Sequence, residues 1–149
     1  MKCFVVVLLA LAGISYGLDV NDCGSKGAEI LKLDFPGCDK EPCVVHKGDQ
    51  LKAKLYLRAT KPTDYLDCKL FADYNGLEIP YPGGCDEPDA CNALLEGSCP
   101  VAIGDEMTYD VSIYIAKLFP TTVIDGQWRI MDEDDEIFSC FKIQMDIQD

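Results

Sequence analysis

Three observations predict an all-β protein, a sandwich or small barrel of about seven strands. Short stretches alternate apolar and polar side chains, turn residues separate them at close intervals, and no segment shows a convincing amphipathic helical pattern. The chain opens with a different kind of segment. Met1-Lys2 is a basic start, Phe4 to Ala12 is an apolar run, and Ser15 and Gly17 are small residues at the −3 and −1 positions of a cleavage site. The run is short for a bilayer span. Residues 1–17 therefore read as a secretory signal peptide, and residues 18–149 as one domain with room for a real core.

The strands follow in order. Ala28–Phe35 alternates loosely before Pro36-Gly37. Asp49–Arg58 sets Leu51, Ala53, Leu55 and Leu57 against Lys52, Lys54, Tyr56 and Arg58. Tyr65–Tyr74 runs into Asn75-Gly76, a strong hairpin turn. Leu77–Tyr81 is short and bounded by the prolines Pro80 and Pro82, which lack ladder donors and assign it to a sheet edge. Glu106–Ala116 carries a strict apolar stripe of Met107, Tyr109, Val111, Ile113 and Ile115. Thr122–Met131 and Glu136–Ile147 close the set, and the acidic run Asp132–Glu136 between them reads as a solvated hairpin turn.

Eight of the nine cysteines lie beyond the signal segment, an even number in an exported chain and hence a disulfide framework. No C-x-x-C pair supports zinc or redox chemistry, and the acidic run lacks the spacing and central glycine of a calcium loop. No metal and no cofactor is expected. Thirteen basic residues, less Lys2, leave twelve against twenty-six acidic ones, a balance that excludes nucleic acid as a partner and suits a soluble monomer.

Catalytic patterns are missing as well. His46 is the single histidine and is expected in a turn beside Lys47-Gly48; there is no G-x-S-x-G elbow, and oxidised cysteines are not nucleophiles. The residues argue for binding rather than for an enzyme.

The ordered motifs narrow this further. Asp22-Cys23-Gly24-Ser25 opens the domain, Cys38 and Cys43 bracket a tight loop, Pro42–Gly48 follows as PCVVHKG, Cys99-Pro100 precedes the longest stripe, Phe119-Pro120 ends it, and Trp128 and Cys140 come after. This set resembles the ML lipid-recognition family, which includes Niemann-Pick type C2 proteins and the group 2 mite allergens. The resemblance implies an immunoglobulin-like sandwich of two antiparallel sheets with a lipid held between them. It also implies the bridges Cys23–Cys140, Cys38–Cys43 and Cys91–Cys99, and leaves Cys68–Cys85 as an additional pair. The residues alone would allow 105 pairings of eight cysteines. Two departures stand out: the Cys91–Cys99 loop is long, and the additional bridge stiffens the loop after Tyr81; both are expected near the pocket mouth.

With that resemblance, the expected guest is a sterol, fatty acid or similar apolar lipid. Its expected lining is Phe35, Val45, Leu55, Ile79, Tyr81, Tyr109, Ile113, Ile115, Phe119, Pro120, Ile124, Trp128 and Phe141, with Lys117 at the rim facing a head group. A membrane protein that hands lipid on or receives it is a further expected partner. The expected location is extracellular, with the endolysosomal lumen as the other destination. A competing reading is an innate-immune or adhesion module with a solid core, using the acidic loop Asp86–Ser98 as its contact surface.

Overall fold

Alternation in sequence becomes alternation in burial. The structure is a computed structural model that describes residues 18–149, so the signal segment lies outside the described residues. Ten strands form: β1 (Asn21–Asp22), β2 (Ala28–Asp34), β3 (Cys43–His46), β4 (Gln50–Ala59), β5 (Leu66–Tyr74), β6 (Leu77–Pro80), β7 (Leu94–Glu96), β8 (Glu106–Tyr114), β9 (Thr122–Asp132) and β10 (Ile137–Gln148). Seven correspond to the stretches expected above. The additional three, β1, β3 and β7, have two to four residues each, too short for a period-two pattern to register.

One sheet runs β1-β10-β9-β5-β6, with β3 also alongside β10; the other runs β2-β4-β8-β7. Pairing is antiparallel except that β3 lies parallel to β10, with Met145 opposite Cys43 and Gln148 opposite His46. His46, expected in a turn, thus closes a strand. Ala53, Leu55 and Leu57 of β4, Met107, Tyr109, Val111 and Ile113 of β8, and Ile124, Trp128 and Ile130 of β9 are all buried where the two sheets face each other.

Asn75 and Gly76 both have positive φ, 54° and 78°, as a two-residue hairpin of matching twist requires, and they join β5 to β6 with Tyr74 opposite Leu77. β6 pairs only with β5 and is exposed along its whole length, so it is an edge. Four disulfide bridges form: Cys23–Cys140, Cys38–Cys43, Cys68–Cys85 and Cys91–Cys99.

Two expectations need correction. The acidic run is not simply solvated. Asp132 is buried, its carboxylate accepting from Lys61 Nζ at 2.7 Å and from the backbone N–H groups of Asp134 and Glu136 at 3.0 Å each. Burial pushes this carboxyl's pKa up, but the Lys61 and backbone hydrogen bonds prevail and hold it below its ordinary value. Glu133 accepts from Thr63 Oγ1 and from the Asp64 N–H, tying the same turn to the loop before β5. The long Cys91–Cys99 loop is not at the expected mouth either. Its β7 pairs with β8 at Tyr109 and Thr108, the end of that strand away from Ile115 and Phe119.

Candidate functional site

The apolar stripe of β8 does not stop with the strand. Ile115 continues it fully buried, and the chain then turns at Ala116–Phe119, where the Phe119 N–H donates to the Ala116 carbonyl at 3.0 Å. That turn sets Phe119 opposite Tyr81, which follows edge strand β6 on the other sheet; the ring centroids are 5.7 Å apart and tilted by 33°. The Tyr81 hydroxyl donates to the Tyr114 carbonyl at 2.7 Å and accepts from the Ala116 N–H at 3.1 Å. One phenol therefore fastens the β6 margin to the end of β8.

The segment after Tyr81 forms a strap over the same flank. Cys85 is bridged to Cys68 in β5, while the Asp86 carboxylate accepts from Ser112 Oγ at 2.8 Å and from the Gln50 side-chain amide, residues of β8 and β4. Gly83 lies where a Cβ would come within 3.0 Å of the Tyr81 ring, so a side chain there would press on the ring.

Two apolar spaces meet at this end of the sandwich. Outside the aromatic pair is a pocket of about 200 Å³ lined by Ala72, Tyr74, Ile79, Pro80, Tyr81, Pro82, Phe119, Pro120, Thr122 and Ile124. Inside it is a void of about 20 Å³ between the sheets, bordered by Tyr81, Ile113, Ile115, Phe119, Ile124 and Trp128 among others. Ala72, Tyr81, Phe119 and Ile124 are common to both, so the rings stand between outer pocket and inner void. A second inner void of about 10 Å³ lies beside Phe35, Trp128 and Phe141.

Of the residues expected at the site, Ile79, Tyr81, Ile113, Ile115, Phe119, Pro120, Ile124 and Trp128 come together around the first two spaces, and Phe35 and Phe141 join Trp128 at the third. Val45, Leu55 and Tyr109 are buried core and border none of the three. The Tyr109 phenol, deep in that core, has its pKa pushed up by burial. Lys117 is also elsewhere. It is exposed, borders none of these spaces, and its stem lies over Gly48, where a Cβ would approach Lys117 Cε to 3.3 Å. The inward parity that assigns it to the rim ends with Ile115, after which the chain turns at Ala116–Phe119.

The sequence reading missed Leu70 of β5 and Met145 and Ile147 of β10, all on the inner void. Their alternation was visible; which of several inward residues face the void depends on how the sheets stack. A larger depression of about 570 Å³ on the outer face holds Asp22, Glu41, Glu78, Asp125, Arg129 and Lys142, a polar surface unsuited to an apolar guest.

A family model for the ML domain matches residues 17–147. The chain belongs to the ML domain family. This ML domain is 31% identical over 150 residues to the mite group 2 allergen Pso o 2 of Psoroptes ovis, covering 100% of this chain and 99% of the relative. It is 24% identical to the NPC intracellular cholesterol transporter 2 of Mus musculus over 95% of this chain and 94% of that one. Among solved structures, a Niemann-Pick type C2 protein from Japanese carpenter ant superposes with a TM-score of 0.78 at 20% identity, covering 87% of this chain and 99% of that chain, which establishes the shared fold.

Proposed function

We propose that this ML domain is a secreted carrier that takes up a small apolar molecule, of sterol or fatty-acid class, between its two sheets at the Tyr81–Phe119 end. The observation that carries the reading is continuity: the outer apolar pocket and the inner void share Tyr81 and Phe119 as their common wall. Relatives named as cholesterol transporters support the same reading over a solid interaction module.

The inner void is far smaller than the ~300–1,000 Å³ usual for a ligand pocket. A guest must therefore part the aromatic pair and widen the space between the sheets. The energetics allow it. Covering ~400–500 Å² of apolar guest surface gains roughly 10–12 kcal/mol at about 25 cal/mol per Å². Association and the opening of the packed end take back several kcal/mol, which leaves affinities from micromolar to nanomolar. Uptake is burial without covalent chemistry.

Residues 1–17 would direct export, and residues 18–149 would be the working domain. The four bridges belong to an oxidising compartment. The guest would be delivered to or collected from a membrane or a membrane protein, with the domain acting as a monomer. The test is binding of a fluorescent sterol and a fluorescent fatty acid to one preparation. Saturable binding of at least one, displaced by its unlabelled form, is expected; absence of binding by both would refute the carrier.

A further inference from the structure

Among the described residues, one buried side-chain donor without a partner belongs to a residue that lines the inner voids. Trp128 is 4% exposed, and its indole Nε1–H is buried without a hydrogen-bond acceptor. The same indole borders both inner voids. Phe141 cannot take the proton: the two rings are stacked with centroids 5.3 Å apart and planes 5° from parallel, so the N–H lies edge-on and does not point into the phenyl face. On the other edge, Trp128 Cζ3 is 3.7 Å from where a Gly126 Cβ would stand, which turns the benzenoid ring toward Gly126 and the N–H away from it. Apart from Trp128, the smaller void is walled mainly by Phe35, Leu51, Ala53, Val111, Phe141 and Ile143, none of which offers a side-chain acceptor.

Among the described residues two other buried side-chain polar atoms lack partners, and neither points to a guest. Arg129 Nε belongs to a guanidinium already held by Glu78 and Gln127, and Ser139 Oγ borders none of these spaces. An indole N–H only donates. Its complement is an acceptor oxygen.

We propose that Trp128 Nε1–H is a buried hydrogen-bond donor for the guest, so that the protein selects apolar molecules bearing a ketone, hydroxyl or ester oxygen part-way along the skeleton over plain hydrocarbon chains. This rests on the carrier reading and names the guest class within it. The opposing expectation has the opposite sign. In a wholly apolar site a mid-skeleton oxygen loses its hydration without recompense and weakens binding.

The experiment uses the folded chain with its bridges intact and compares methyl octadecanoate with three of its oxo esters, bearing the ketone near the ester, at mid-chain and near the methyl end. Affinity is read by displacement of a fluorescent fatty acid. The environment of the indole is read by intrinsic emission, which belongs to Trp128 because the chain has a single tryptophan. At least one oxo ester is expected to bind roughly five- to tenfold more tightly than the parent, the yield of one net hydrogen bond, and to red-shift the emission. In Trp128→Phe, which keeps an aromatic ring and loses the donor, the ratio of oxo to plain ester is expected to fall to one or below, whatever the absolute affinities. Saturable binding in which every oxo ester is equal to or weaker than the parent overturns the donor role and leaves the carrier standing. Failure of all esters, the fluorescent fatty acid and a fluorescent sterol to bind overturns both.

Discussion

The hydroxyl of Tyr81 hydrogen-bonds across this end of the sandwich, and Tyr81→Phe removes it while keeping the ring against Phe119. Two bonds are lost, one to the Tyr114 carbonyl at 2.7 Å and one from the Ala116 N–H at 3.1 Å. Each is worth about 0.5–1.5 kcal/mol net, and both freed groups sit near solvent where water can replace the phenol, so the closed end should lose about 1–2 kcal/mol. That shift raises the population of the opened end about five- to thirtyfold. Two readouts check it. Hydrogen exchange at the Ala116 amide should quicken by that factor. Release of a pre-bound fluorescent sterol into acceptor vesicles should quicken similarly, with a smaller change in affinity because entry is eased too. Faster exchange at Ala116 with unchanged release would mean that guests do not pass the Tyr81–Phe119 pair. Unchanged exchange would mean that the hydroxyl holds nothing shut.

Other substitutions test neighbouring parts of the argument. In Gly126→Ala the new Cβ would lie 2.5 Å from Met145 Cε, the mobile end of a side chain, and so intrude on the inner void; guest affinity should fall about tenfold while thermal unfolding moves little. Asp132→Ala leaves the Asp134 and Glu136 N–H groups without their acceptor and should cost about 2–4 kcal/mol in denaturant unfolding. Because the folded Asp132 carboxyl lies below its ordinary value of about 3.9, its stabilisation is complete above that pH and declines as pH falls through the lower folded value; Asp132→Asn should flatten this acid limb. Replacing both Cys23 and Cys140 by Ala opens a separation of 117 residues and should cost about 4–5 kcal/mol, against about 3 kcal/mol for Cys68 with Cys85 at a separation of 17, both read from denaturation midpoints.

Much of the architecture was legible because it is written locally. The parity of Leu51 to Leu57 and of Met107 to Ile113 says which side chains turn from water, since successive residues of a strand must face opposite ways. Asn75-Gly76 specifies a hairpin through its own backbone preferences, and Pro80 consigns β6 to an edge because it cannot donate to a ladder. The approach of Tyr81 to Phe119 was legible too, though only with the ordered motifs that mark an ML domain.

Other features depended on residues distant in the chain. Parity predicts that Val45, Leu55 and Tyr109 face inward, and they do, but it does not say that they close on solid core while Leu70, Met145 and Ile147 face the void. Lys117 left the stripe because the chain turns after Ile115, where the period of two no longer applies. The Tyr81 hydroxyl finds a carbonyl and an amide more than thirty residues away, and Asp132 finds Lys61 at a separation of 71.

The sequence by itself determined seven of the strands, their inward faces, the edge and the presence of an oxidised framework, since each follows from the conformational or chemical nature of neighbouring residues. Only the tertiary structure decided how far apart the sheets stand, which phenol fastens them and which indole proton is left unanswered. Those are properties of volumes and donor–acceptor pairs assembled from opposite layers, and no short stretch of chain contains both halves of any of them.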